Sequence, residues 1–285
     1  MMAWWQNIYG YIDPIAFKVG FFSVHWYALF WLFGFISVWF AAKRLRLKNL
    51  GVLTEKEWGD VLLFLFIGAL LGGHIGYGLL YQPLNFFYYP LQFFSPYSFE
   101  TGNWIGIRGM SFYGGLIGVG IALGFQARKY QKDFLVLADF VSLLAPVALF
   151  FGRLGNFFNH ELPGRITVVP WGIHIPVLSH EAIPFMETLR HPSALYEAFG
   201  EGVILFVLLL SISRKTSQPG QLTAFFLVGY GTFRFFLEYF RELDLGTNFI
   251  FEYFTFGQIL SLITALSGAL FLLWLRKKRR VTISV

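Results

Sequence analysis

Seven apolar runs dominate this chain, at about residues 21–42, 59–81, 110–128, 133–152, 193–213, 220–240 and 255–276. Each approaches the ~20 residues that a helix needs to cross ~30 Å of hydrocarbon. Lipid offers no partner for backbone N–H and C=O groups, so an apolar run of that length has one workable conformation, the helix. The pattern predicts an all-α polytopic membrane protein with seven transmembrane helices. Charge agrees: 13% of the 285 residues are charged and 21% are aromatic, against about 25% charged in a soluble domain.

The segments between the runs set the organisation. Residues 1–285 read as a single membrane-embedded domain. Within it, "YQPLNFFYYPLQFFSPYSF" makes 82–108 an aromatic, proline-interrupted arm suited to the interface between lipid and water. Residues 153–192 are the one sizeable polar stretch, and "ITVVPWGIHIPVL" inside it suits a small β-rich head. Residues 277–285 form a tail. The opening "MMAWWQNIYGYIDPIAF" lacks the basic start and small-residue cleavage site of a signal peptide, which predicts that the first span is retained.

The net charge of +6 does not indicate nucleic acid, because the basic residues gather in short loops beside the runs. "AAKRLRLK", "ARKYQK", "SRKTSQ" and "RKKRR" follow runs one, three, five and seven, so all four fall on one side. That side is cytoplasmic by the positive-inside rule. The N-terminus and the 153–192 head then face outward, into the periplasm of a Gram-negative cell. With no cysteine, disulfides, thiolate metal sites and a cysteine nucleophile are excluded. The histidines lack ligand spacing and no glycine-rich nucleotide loop is present, so no metal or organic cofactor is expected.

Glycine recurs at every fourth position at Gly68, Gly72 and Gly76, and again at Gly114 and Gly118. Small residues at that spacing predict close helix packing. Polar residues enter the runs mainly at their outer ends: His25 and Tyr27, His74 and Tyr77, Tyr113, Arg153 and Asn156, then His191, Tyr196 and Glu197. Tyr230, Arg234 and Glu238 share one face of the sixth run, at i, i+4 and i+8. An arginine there is costly in lipid unless it is paired or functional. Arg234 is expected to pair with Glu238 and also to bind a ligand. Arg153 opens "GRLGNFFNHELPGR", where Asn156, Asn159 and Glu161 follow. Two guanidinium groups at one depth suit the oxygens of an anionic phospholipid. Ser193 is expected to cap the fifth helix, and Asp139 to hydrogen-bond inside the bundle.

"GRLGNFFNHELPGR" resembles the signature of bacterial prolipoprotein diacylglyceryl transferases. "DPIAF", "HWYALFWLFGF", "GMSFYGGLIG", "PWG", "HPSALYE" and "YGTFRFFLEYFRE" resemble that family's other blocks, in order. The resemblance implies an inner-membrane enzyme that moves the sn-1,2-diacylglyceryl group of phosphatidylglycerol onto the lipobox cysteine of a prolipoprotein signal peptide. The products are a thioether and glycerol phosphate. Its partners are then phosphatidylglycerol, prolipoprotein signal peptides and the bilayer. The family pattern carries substrate-binding or essential roles onto Arg153, Asn156, Glu161, Gly164 and Arg234, and matches Tyr27 and Tyr230. Arg153 and Arg234 are the expected phosphate ligands. Two positions depart from the pattern. Tyr113 replaces a histidine often proposed as the base, and His74 stands where arginine is more common. His74 is a candidate to supply the imidazole missing at 113. A relative that binds prolipoproteins without modifying them, and a transporter of an anionic solute, are the competing readings.

Overall fold

A hairpin precedes the first long helix. The computed structural model describes residues 2–20, 22–46, 53–98, 102–104, 109–175, 188–216, 218–242, 250 and 253–283. Helix α1 (Met2–Gln6) leads through a 3-10 turn (Ile8–Gly10) to antiparallel strands β1 (Ile15–Val19) and β2 (Phe22–His25), where Val19 pairs with Phe22. Gly20, at φ +59°, takes the left-handed conformation of the turn. The first run was expected to turn helical near residue 21; instead α2 (Trp26–Arg46) begins where the hairpin ends.

The remaining elements are α3 (Glu55–Tyr81), α4 (Pro83–Tyr88), α5 (Pro90–Phe94), β3 (Tyr97–Ser98), β4 (Asn103–Trp104), α6 (Phe112–Lys129), α7 (Phe134–Phe158), α8 (Ser193–Glu197), α9 (Leu205–Ser213), α10 (Gln221–Leu237) and α11 (Phe256–Ile283). A π-helical stretch, Ala198–Ile204, joins α8 to α9. A helix thus lies over every apolar run. Among the described residues, five are long and apolar enough to cross a membrane: Trp26–Leu45, Glu55–Tyr81, Phe134–Phe158, Ser193–Ser213 and Phe256–Lys278. Of the expected β-rich head at 153–192, residues 176–187 lie outside the described residues. Helix α7 continues to Phe158, and the described residues beyond it make isolated bridges, Gly164 with Arg241 and Ile166 and Ile173 with Arg190. Pro163 and Pro170 remove donors that a longer ladder needs.

The chain divides into two compact units, Leu45–Ala138 and Met1–Arg44 with Asp139–Val285. In the first, Thr54 and Glu57 form a reciprocal capping box at the start of α3. Helices α3 and α6 then meet through glycine. A Cβ on Gly72 would come within 2.4 Å of the Gly114 carbonyl oxygen, and one on Gly118 within 2.0 Å of that of Gly68. The fourfold glycine spacing is therefore close packing, as expected. Pro83 and Pro90 sit at the first turns of α4 and α5, where a missing N–H costs nothing. Between and beyond them Leu84, Phe87, Tyr88 and Leu91 are exposed.

In the second unit, Asp139 of α7 fastens the start of α10. Its carboxylate accepts from Gly220 N at 2.8 Å, Thr223 N at 2.7 Å and Thr223 Oγ1 at 2.8 Å. These satisfy N–H groups that a helix start leaves unpaired, and they bear out the internal role expected of Asp139. Helices α10 and α11 approach as closely as α3 and α6: a Cβ on Gly231 would lie 2.5 Å from the Ser261 carbonyl oxygen. Beside the helices, Ile8, Tyr9, Phe157, Ile173 and Ala194 form a small core. It ties the N-terminal segment to the polar stretch, with Trp5 Nε1 donating to the Trp171 carbonyl at 2.8 Å.

Candidate active site

Three helical segments of the second unit deliver charge to one place. A Cβ on Gly202 would come within 2.6 Å of Phe150 Cβ, so the π-helical stretch lies hard against α7. That approach puts Glu197 and Glu201, four residues apart, on Arg153. Arg153 Nη1 lies 2.9 Å from Glu197 Oε2, and Nη2 lies 3.0 Å from Glu201 Oε2. Its Nε also donates to Glu201 Oε2 at 3.1 Å. Two carboxylates at i and i+4 repel each other on a helix; the guanidinium between them reverses the sign.

From α10, Arg234 Nη1 reaches the other oxygen of Glu197 at 2.9 Å, and Nη2 reaches Glu238 at 2.6 Å. The pairing of Arg234 with Glu238 expected from their spacing is present. Glu238 is in turn held from α11, where Thr255 Oγ1 donates to its Oε1 at 3.0 Å. The same hydroxyl accepts from Gln258 N at 3.0 Å, capping α11. Glu197 and Glu201 are fully buried, at 0% exposure. Each arginine therefore has a planar fork filled by carboxylates, which is what lets a guanidinium sit in an apolar bundle.

The other expected residues surround this cluster or lie outside it. Tyr230 is buried beside Arg153, stacked on Phe226. Tyr27 of α2 is within electrostatic reach of Arg153 and Glu161, and α7 approaches it through Gly155, whose added Cβ would lie 3.2 Å from Tyr27 Cα. Asn156 and Asn159 clamp Glu161, donating to its Oε2 at 2.8 Å and its Oε1 at 2.7 Å. Gly164 is a packing point: a Cβ there would come within 2.0 Å of the His191 carbonyl oxygen. Its own carbonyl accepts from Arg190 Nη1 at 2.9 Å. Arg165, the second arginine of the motif, donates to the Arg241 carbonyl at 2.9 Å. Ser193 does not cap its helix; its hydroxyl reaches back to the Leu162 carbonyl at 2.8 Å and anchors the start of α8.

His74 and Tyr113 belong to the other unit. The imidazole of His74 faces two carbonyl oxygens, Gly109 from Nδ1 and Phe93 from Nε2, each at 3.1 Å, and it stacks on Phe93. A neutral imidazole carries one N–H and satisfies one carbonyl; the imidazolium satisfies both. Both ring nitrogens face carbonyl oxygens in this arrangement. The residue pins the end of α5 and Gly109 to α3. Tyr113 is half-buried in the first turn of α6.

One site residue escaped the sequence reading. Glu197 is among the polar residues at the outer ends of the runs, but Glu201 is not singled out. The signal was available: "YEAFGEGVILFVLLL" places a second carboxylate four residues into an apolar run, where ionisable residues are rare.

A family model for prolipoprotein diacylglyceryl transferase matches residues 14–274. The chain belongs to this family. A phosphatidylglycerol–prolipoprotein diacylglyceryl transferase of Chlorobaculum tepidum is 39% identical over 279 residues, covering 97% of this chain and 94% of the relative. Proteins of the same name from Chromohalobacter salexigens and Campylobacter lari are 42% and 37% identical, covering 94% and 98% of this chain and 94% and 99% of their own. Family and apolar helices together make this diacylglyceryl transferase relative a membrane protein.

Proposed function

We propose that this chain transfers the diacylglyceryl group of phosphatidylglycerol to the lipobox cysteine of prolipoproteins, in the bacterial inner membrane. One observation carries the reading: Arg153 and Arg234, from different helices, converge on a single anionic group, Glu197, at 2.9 Å each. A site that presents two forks to one carboxylate can present them to one phosphodiester. In the transfer, the thiol releases its proton to solvent water and sulfur bonds to the glycerol carbon. The carbon–oxygen bond breaks, and its electron pair moves to the phosphate, which leaves as glycerol phosphate. Negative charge grows on the phosphate oxygens as that bond breaks, so donors placed there favour the transition state. The nucleophile belongs to the substrate, consistent with a cysteine-free enzyme.

Asn156, Glu161 and Gly164 keep the polar segment beside α7 in place. Tyr27 and Tyr230 line the arginine cluster, and Glu238 orients Arg234. Tyr113 is read as a hydrogen-bonding residue, since a phenol with a reference pKa near ~10 is a poor base at neutral pH. Seven spans fit the arrangement, α6 and α10 being short ones. Lys43 and Arg44, Arg128 and Lys129, Arg214 and Lys215, and Arg276 to Lys278 lie at or just past the ends of α2, α6, α9 and α11. On the positive-inside rule these ends are cytoplasmic. Arg153 and Arg234 then fall near the opposite, periplasmic ends of α7 and α10, with the N-terminus outside and residues 277–285 inside.

The test is purified protein incubated with headgroup-intact, acyl-labelled phosphatidylglycerol and a lipobox peptide. Label on the peptide is expected, with at least a tenfold slower transfer in Arg234→Lys, because one ammonium cannot serve two forks. No label in the wild type refutes the reading.

A further inference from the structure

Glu197 holds both arginines with different oxygens, Oε2 on Arg153 and Oε1 on Arg234. Two anionic oxygens facing two guanidinium forks are also the outline of the two non-bridging oxygens of a phosphodiester. Charge then sets a condition. Among the described residues, the groups in direct ion-pair contact are two arginines, Arg153 and Arg234, and three carboxylates, Glu197, Glu201 and Glu238. Two positive and three negative charges leave −1. Farther out, Arg241 acts on Glu197 from a half-buried position, and Glu161 lies beyond Tyr27. One more of each sign leaves the balance unchanged. Among the described residues, Tyr27 and Tyr230 are further titratable groups beside Arg153.

A phosphodiester monoanion entering this cluster would raise the deficit to −2 in a water-poor bundle. Buried groups in that position neutralise rather than remain charged. Glu201 is the carboxylate suited to it. It is fully buried, uses only Oε2 on Arg153, and its Oε1 has no hydrogen-bond partner. Resting on the reading that these arginines take the lipid phosphate, we propose that Glu197 is an internal occupant of the phosphate position. Phosphatidylglycerol displaces it, and Glu201 takes up one proton as the lipid binds. Glu197 and Glu201 thereby act as positioning residues that couple lipid affinity to pH.

The experiment is calorimetric binding of short-chain phosphatidylglycerol to the full-length protein, in two buffers of different ionisation enthalpy, from about pH 5 to pH 9. Uptake of about one proton per lipid is expected, with affinity weakening by up to about tenfold per pH unit in the rising part of the range. Glu201→Gln should bind with a flat pH profile and uptake near zero. Wild-type binding that shows neither uptake nor pH dependence overturns the proposal, and needs no variant that might misfold. Uptake retained in Glu201→Gln overturns the assignment to Glu201. Binding left intact by Arg153→Lys and Arg234→Lys is a different failure, that of the phosphate reading itself.

Discussion

Replacing Thr255 by valine tests whether the arginine cluster is braced from outside. Thr255 is 3% exposed, and its hydroxyl does two things at once: it accepts from Gln258 N at 3.0 Å and donates to Glu238 Oε1 at 3.0 Å. Valine keeps the shape and removes both. Losing the cap costs about 0.5–2 kcal/mol. Losing a hydrogen bond to a charged group adds about 1.5–3 kcal/mol. The reciprocal bond from Thr255 N to Gln258 Oε1, at 3.0 Å, survives and moderates the first term. The sum is about 3 kcal/mol, read from reversible unfolding in mixed micelles. A double-mutant cycle with Glu238→Ala isolates the second term, and a coupling of at least about 1 kcal/mol is expected for groups that share a buried hydrogen bond. A Thr255→Val protein within about 0.5 kcal/mol of wild type, or strictly additive effects, refutes the brace.

Gly118→Ala should destabilise the Leu45–Ala138 unit by about 1–3 kcal/mol or more, since its methyl would stand 2.0 Å from the Gly68 carbonyl oxygen; proteolysis between α3 and α6 should accelerate. Asp139→Asn keeps one acceptor oxygen where two now serve three donors, a loss of about 1–3 kcal/mol that exchange protection of the first turn of α10 should register. Burial holds the imidazoles of His160 and His191 below their ordinary range; for His160 a hydrogen bond to the Ile12 backbone carbonyl and the charge of Asp13 oppose this in part. The unfolded chain therefore takes up these protons first, so stability falls as pH drops below about 6.5. An H160N/H191N protein should show a flatter stability profile over that range, and an equal slope would exclude both residues.

The helices were legible because lipid leaves an apolar run few alternatives, and each run did become a helix. The hairpin at 15–25 was hidden inside that same apolarity: "FFSVHWY" continues the first run in composition, and only Gly20 marks the turn. In the polar stretch, the β-branched residues of "ITVVPWGIHI" suggest strands, and the described residues there form isolated bridges beside Pro163 and Pro170. Arg153 and Arg234 were visible as costly residues in lipid, and the i, i+4 rule named Glu238 as a partner. No spacing rule links Arg153 to Glu201, which is 48 residues away. That contact depends on Gly202 admitting Phe150, a fact of packing. His74 shows the same limit. Its neighbours are backbone carbonyls, which carry no sequence signature.

Carboxylates around a phosphate site look self-defeating, yet they follow from where the arginines are. Two unpaired guanidinium groups in an apolar bundle would not fold there, so the lipid meets forks already filled and must compete with Glu197. That competition favours catalysis. The ground-state diester carries one negative charge, whereas the departing glycerol phosphate approaches two, so the phosphate displaces Glu197 more effectively as the carbon–oxygen bond breaks. Interactions stronger in the transition state than in the ground state are those that accelerate the reaction. Glu197→Gln removes the competitor while leaving a group of similar size. The expected result is a lower KM for phosphatidylglycerol with no gain in kcat, the pattern of tighter but uniform binding. A KM that is unchanged or higher, in a protein that still unfolds cooperatively, means that Glu197 never occupies the position the phosphate needs.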